Sequence, residues 1–111
     1  MEKDELREKW RKVEALTKER FGEVLDVQDI IFVIGLQELG LPLKKTTKQQ
    51  KVEIMHIGIC TLLSPYGYYK FIGKDNEGWP HFENVKKLPA LRPLEQEKLM
   101  KQAIIDYFEI R

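Results

Sequence analysis

DVQDIIFVIGLQELGL, residues 26–41, admits two opposed readings, and the fold class depends on which is taken. The run Ile30, Ile31, Phe32, Val33, Ile34 is β-branched and aromatic, as a buried strand would be. As a helix the same stretch is apolar round most of its circumference and must be largely buried. Its ends decide for helix. Asp26 as N-cap sets Leu25 at N′ and Ile30 at N4, the spacing of a hydrophobic staple. Gly40 at C′ sets Leu41 at C″ and Leu36 at C3, the apolar contact of a Schellman motif. Gly35, in the middle, lowers helix propensity, and the usual return is a close approach by another element.

On the C-terminal side the connection LPLKKT is short and contains Pro42. TKQQ then offers a capping box from Thr47 to Gln50. The helix it opens, KQQKVEIMHIGICTLL, carries Val52, Met55, Ile59, Leu62 and Leu63 on one broad face, widened by Ile54 and Ile57. Ser64 and Pro65 end it. Two apolar helices joined by a short loop predict an antiparallel αα-hairpin at the centre of the fold.

The flanking segments are amphipathic. DELREKWRKVEALTKERF sets Leu6, Trp10, Val13 and Leu16 near one helical stripe, with Glu5–Lys9, Glu8–Lys12 and Glu14–Lys18 at i,i+4 outside it. Asp4 is its expected N-cap and Gly22 its expected C′ residue. PLEQEKLMKQAIIDYFEIR begins with Pro93 at an N1 position and spaces Met100, Ala103, Ile104, Tyr107 and Phe108 helically.

Between the third and fourth of these helices lies YGYYKFIGKDNEGWPHFENV, residues 66–85, with different punctuation. Tyr68, Lys70 and Ile72 alternate with Tyr69 and Phe71, Gly73 and Gly78 bracket KDNE, and WPHF follows. This predicts a two-stranded hairpin whose second strand is an edge, because Pro80 cannot donate a ladder hydrogen bond. An isolated hairpin is marginal in water, so part of the set Tyr68, Tyr69, Phe71, Trp79 and Phe82 must lie against the helices. The expected fold is one mainly α domain over residues 1–111, four helices with the small β-hairpin inserted before the last.

Composition bounds the function. A chain of 111 residues has the size of one domain, and 42% apolar with 33% charged residues is the balance of a folding chain. With 19 basic and 18 acidic residues the net charge is +1, so binding to nucleic acid or an anionic membrane has no global electrostatic support. The amino-terminal MEKDELREKW lacks the apolar core of a secretory signal, and no apolar run approaches the roughly 18 residues of a membrane span. The single cysteine, Cys60, agrees with a reducing compartment. These features predict a cytoplasmic protein with no membrane association.

The histidines and the cysteine are the candidates for chemistry. Glu53, His56 and Cys60 share one helical stripe, and a zinc site would need His81 to join them, which no spacing enforces. Di-iron bundles need a second ExxH, and the chain has none. Cys60 lies among Ile57, Ile59, Leu62 and Leu63, where burial raises a thiol pKa instead of making a thiolate. No GxSxG elbow, P-loop or EF-hand pattern occurs. No cofactor is implied, and a non-enzymatic role is expected.

Binding remains. The reading that fits best is a protein-interaction or adaptor module whose partner meets Tyr66, Tyr68, Tyr69, Trp79 and His81 on the hairpin. The alternative is an accessory nucleic-acid-binding role through Lys44, Lys45, Lys48 and Lys51, with Lys70, Lys74, Lys86 and Lys87 beside the aromatics as a second patch. Metal or small-ligand binding at Glu53, His56 and Cys60 is a third.

Overall fold

The computed structural model describes residues 3–40 and 45–110. Four helices follow in order, α1 (Lys3–Phe21), α2 (Val27–Leu39), α3 (Lys48–Leu63) and α4 (Pro93–Tyr107), with strands β1 (Tyr69–Lys74) and β2 (Pro80–Asn84) between α3 and α4. The protein is thus mainly α with a small antiparallel hairpin, as the patterning predicts. The run Ile30–Ile34 is helical, and the helix reading of the deciding stretch holds. Two compact units are distinguished: one holds α1 and α4, and the other runs from Gln28 to Ala90.

In the first unit α1 and α4 pack on each other. Val13 is fully buried, and Lys101 sets its ammonium 5.2 Å from the centre of the Trp10 ring. Glu5 and Lys9 form the expected i,i+4 pair at 3.6 Å. Lys3 is already helical, so Asp4 falls in the first turn of α1 and not at its N-cap. The other end is as expected. Gly22 takes φ 81° and donates its N–H to the Lys18 carbonyl at 2.9 Å, a left-handed cap. The chain that turns back there is held by Thr17, a buried polar residue to which the stripe analysis assigned no role. Its hydroxyl donates to the Glu14 carbonyl at 2.9 Å and accepts the Leu25 N–H at 3.2 Å, so burial leaves it satisfied.

Helix α4 begins with Pro93 at N1, where the missing N–H is an orphan in any case. Ala103, Ile104 and Ile105 are buried. It ends in a Schellman motif, with Ile110 N–H on Ile105 C=O at 3.0 Å and Glu109 N–H on Asp106 C=O at 3.1 Å. The left-handed residue there is Glu109 at φ 54°, not a glycine. A β-carbon in that conformation is strained by about 1–2 kcal/mol, so Glu109→Gly is expected to raise stability by about 1 kcal/mol. Urea denaturation measures it, and a neutral or destabilising result would contradict the cap.

In the second unit α2 and α3 form the αα-hairpin. A β-carbon at Gly35 would strike the Ile54 carbonyl oxygen and lie 2.8 Å from Ile54 Cγ2. One at Gly58 would strike the Ile31 carbonyl oxygen and lie 3.0 Å from Ile31 Cγ2. Four residues back along α2, from Gly35 to Ile31, correspond to four forward along α3, from Ile54 to Gly58, so the helices run antiparallel. The close approach expected at Gly35 is present, and Gly58 is its reciprocal, which the sequence reading missed.

This contact also corrects the buried face of α3. Ile54, Ile57, Gly58, Cys60, Leu62 and Leu63 are buried, whereas Val52, placed on the core face by periodicity, is 65% exposed. The glycine crossing turns the Ile54–Gly58 side onto α2 and leaves Val52 outside. At its start α3 has the expected capping box, with Gln50 N–H on Thr47 Oγ1 at 3.1 Å and Thr47 N–H on Gln50 Oε1 at 3.0 Å. Asp26 stands immediately before α2, and Gly40 closes that helix at φ 69° with its N–H on the Gln37 carbonyl at 3.1 Å. The Leu41 contact, the Pro42 connection and Lys44 lie outside the described residues. Among the described residues no helix is long and apolar enough to cross a membrane.

Candidate functional site

The hairpin is built from its turn. Asp75 N–H donates to the Trp79 carbonyl at 2.9 Å and Gly78 N–H to the Asp75 carbonyl at 3.0 Å, with Gly78 at φ 86°. This is a three-residue loop with glycine in the left-handed position, which explains why KDNEG stands where it does. The Asp75 carboxylate accepts the Glu77 N–H at 2.9 Å, the Trp79 N–H at 3.0 Å and lies 2.9 Å from His81 Nε2. One side chain therefore ties the whole turn.

The register pairs Tyr69 with Asn84, Lys70 with Glu83 and Phe71 with Phe82, then shifts so that Gly73 faces His81 and Lys74 faces Pro80. Ile72 is the extra residue of a β-bulge. The Asp75–Trp79 bond makes the adjacent Lys74–Pro80 pair a non-hydrogen-bonded one, so the N–H that Pro80 lacks interrupts nothing in the ladder. Phe71 and Phe82 are directly opposed at such a position too, with ring centres 5.6 Å apart and edge to face.

Both strands lie against α3. Tyr69 meets His56 edge-on at 6.2 Å, and Ser64 Oγ donates to the Tyr69 carbonyl at 3.0 Å. Tyr66, Tyr68, Tyr69, Trp79 and Phe82 are half-buried and His81 is exposed. Lys86 covers the Tyr68 ring at 4.4 Å. The most exposed apolar side chains of the hairpin are instead Phe71 at 51%, Ile72 at 59% and Val85 at 51%. Alternation puts Phe71 on the face of Tyr69 and Phe82 and Val85 on the opposite face, and the bulge displaces Ile72, so no single period finds all three. Beside Phe71 is an open hollow of about 260 Å³, lined by Phe71, Pro80, Phe82 and Lys74 from the hairpin, Thr61 from α3, Ser64 that follows it, and Glu38 from α2.

The carboxyl group of Asp75 is held below its ordinary 3.8, chiefly by the His81 hydrogen bond and next by the Trp79 N–H. Because the folded pKa is the lower one, these bonds support the turn above pH 3.8 and the support is lost as pH falls through the folded value. Carboxyl-carbon NMR is expected to give an Asp75 midpoint under 3.8, with the Glu77 and Trp79 amides shifting alongside. A midpoint at or above the ordinary value would contradict the geometry.

The other residues singled out by sequence do not gather here. Cys60 Sγ lies 3.5 Å from His56 Nε2, but Glu53 accepts a hydrogen bond from Gln49 and His81 is engaged with Asp75. Among the described residues no three His, Cys, Asp or Glu side chains are grouped to hold a metal ion. Cys60 is fully buried and its thiol is pushed up to about 11 by desolvation. It is expected to react with a thiol reagent at neutral pH only on unfolding, at a rate that denaturant raises by about a hundredfold or more. Rapid native labelling would refute this. Lys45, Lys48 and Lys51 are exposed at the start of α3, and Lys70, Lys74, Lys86 and Lys87 are exposed on or just after the hairpin. No protein-family model, curated protein or solved structure matches this chain.

Proposed function

We propose that this chain is a non-enzymatic protein-interaction module that captures a protein partner on its aromatic hairpin. The observation that carries the reading is the exposure of Phe71 beside an apolar hollow, with Ile72 and Val85 also exposed on the same small, turn-locked hairpin. Three large apolar side chains left in water on so small an element are unfavourable unless contacts cover them. A preorganised hairpin loses little further entropy on binding, because Asp75 already fixes its turn. The test is capture from native lysate by the intact chain and by Phe71→Ala with Ile72→Ala, set against Val52→Ala as an exposed apolar control. Partner loss in the hairpin variant alone is the expected result, and equal capture by all three would refute the reading.

A second reading, nucleic-acid binding, draws on Lys45, exposed before α3, and on Lys48 and Lys51, exposed in its first turn. Retention on single-stranded nucleic acid that falls steeply with salt and is lost on charge reversal at these three lysines would favour it over the protein partner.

A further inference from the structure

One face of the hairpin carries both halves of a contact. Tyr69, Phe71 and Phe82 share that face by register, whereas Lys70 and Val85 lie on the other. Phe71 is 51% exposed and also lines the hollow, with Pro80 and Phe82 as its apolar neighbours there. The volume of about 260 Å³ has room for a second ring, since an apolar cavity of about 150 Å³ already admits benzene. Its charges are balanced: Glu38, near the C-terminal end of α2, supplies an acid, and Lys74, at the end of β1, a base. Both side chains are exposed. The hydroxyls of Thr61 and Ser64 already donate to the Ile57 and Tyr69 carbonyls, so an apolar occupant strands no donor. A projecting ring, a space for a ring and one charge of each sign thus stand together in one compact unit.

We infer that this face pairs with a second copy of the chain, about a two-fold axis at the rim of the hollow. An isologous contact requires one patch to complement itself, so that each group finds its counterpart across the axis. The patch meets that requirement. Phe71 of each copy enters the hollow of the other, against Pro80 and Phe82, and Lys74 of each copy faces Glu38 of the other, so the opposite charges pair twice. An occupant of a single sign would set either Glu38 or Lys74 against its like. A second copy does not, and at a net charge of +1 two copies approach with almost no mutual repulsion. The face is small, so the dimer is weak and in exchange, with a Kd between about 1 µM and 1 mM.

The inference rests on the hairpin being a protein-binding surface, and the experiment separates the two claims. Analytical ultracentrifugation of the intact chain up to about 1 mM is expected to show a monomer–dimer equilibrium. Phe71→Ala should weaken it about tenfold or more, and Val85→Ala, also at a side chain 51% exposed but on the opposite face, should leave it unchanged. Glu38→Lys alone and Lys74→Glu alone each set like charges across the axis at both contacts, so each is expected to stay monomeric. Mixed in equal amounts they restore opposite charges at both, and the mixture is expected to dimerise. Circular dichroism checks that each variant keeps its helices, and Phe71→Ala, which removes a ring half in water, is the arm least coupled to folding. An intact chain that stays monomeric at about 1 mM, a dimer indifferent to Phe71→Ala, or folded single variants that stay apart when mixed would overturn the two-fold pairing. In that event, Phe71-dependent capture of a different protein would leave the interaction-module reading standing, and capture indifferent to Phe71 would overturn both.

Discussion

Gly58→Ala is expected to destabilise the protein, although alanine in place of glycine inside a helix ordinarily stabilises by up to about 1 kcal/mol. The sign reverses because the added methyl meets the Ile31 carbonyl oxygen, an atom of helix backbone that cannot rotate away. Gly35→Ala meets the Ile54 carbonyl in the same manner. Relief requires α2 and α3 to move apart, which opens gaps among Ile30, Ile31, Ile34, Ile54 and Ile57 and forfeits their dispersion contacts. Each alanine is expected to lower stability by about 1–3 kcal/mol, and leucine at either position by more. The two sites share one crossing. Once either substitution has separated the helices, the second meets less resistance, so the double variant should lose clearly less than the two single losses together. Urea denaturation of the four members of the cycle provides the measurement. A neutral or stabilising alanine at either site, or losses that simply add, would show that the helices do not depend on this crossing.

The parts of the fold legible in the sequence are those set by local chemistry. Gly22, Gly40, Thr47 with Gln50, and Pro93 each satisfy or avoid orphan groups within one turn of themselves, and each stands where its chemistry placed it. The ambiguity of Ile30–Ile34 was resolved by its flanks for the same reason. What escaped is non-local. Gly58 resembles any other helix glycine until Ile31 of the facing helix is known, and Val52 fits the apolar period of α3 but is turned outward by that same contact. Glu109 adopts a left-handed cap that no glycine announces. At the hairpin the turn and the aromatic richness were legible. Which ring faces water was not, because Tyr69 and Phe71 share one face of β1 and are separated only by how much of that strand lies against α3. Tyr69 is thereby held at His56, while Phe71, two residues on, is left open.

Trp79→Ala is expected to separate the contribution of the indole to folding from its contribution to binding. The backbone of Trp79 is anchored independently of its side chain: its N–H reaches the Asp75 carboxylate at 3.0 Å and its carbonyl accepts the Asp75 N–H at 2.9 Å. Pro80, which follows and is buried, further restricts its conformation. The turn should therefore survive loss of the ring. A fully buried tryptophan truncated to alanine forfeits about 3–5 kcal/mol, and a freely exposed one well under 1. The half-buried indole should fall between, at about 1–2 kcal/mol. On the partner side, an aromatic held on a rigid backbone is the kind of residue that dominates interface energy, at about 2 kcal/mol or more, equivalent to a roughly thirtyfold loss of affinity. Phe71→Ala serves as the companion, since a side chain 51% exposed contributes less to folding and, on this reading, as much to capture. Unfolding midpoints and partner affinity measured on the same preparations give both quantities. A stability loss above about 3 kcal/mol would make Trp79 a core residue whose binding effect follows from unfolding. Undiminished affinity in a folded Trp79→Ala variant would remove the indole from the recognition surface and leave Phe71 and Ile72 as its anchors.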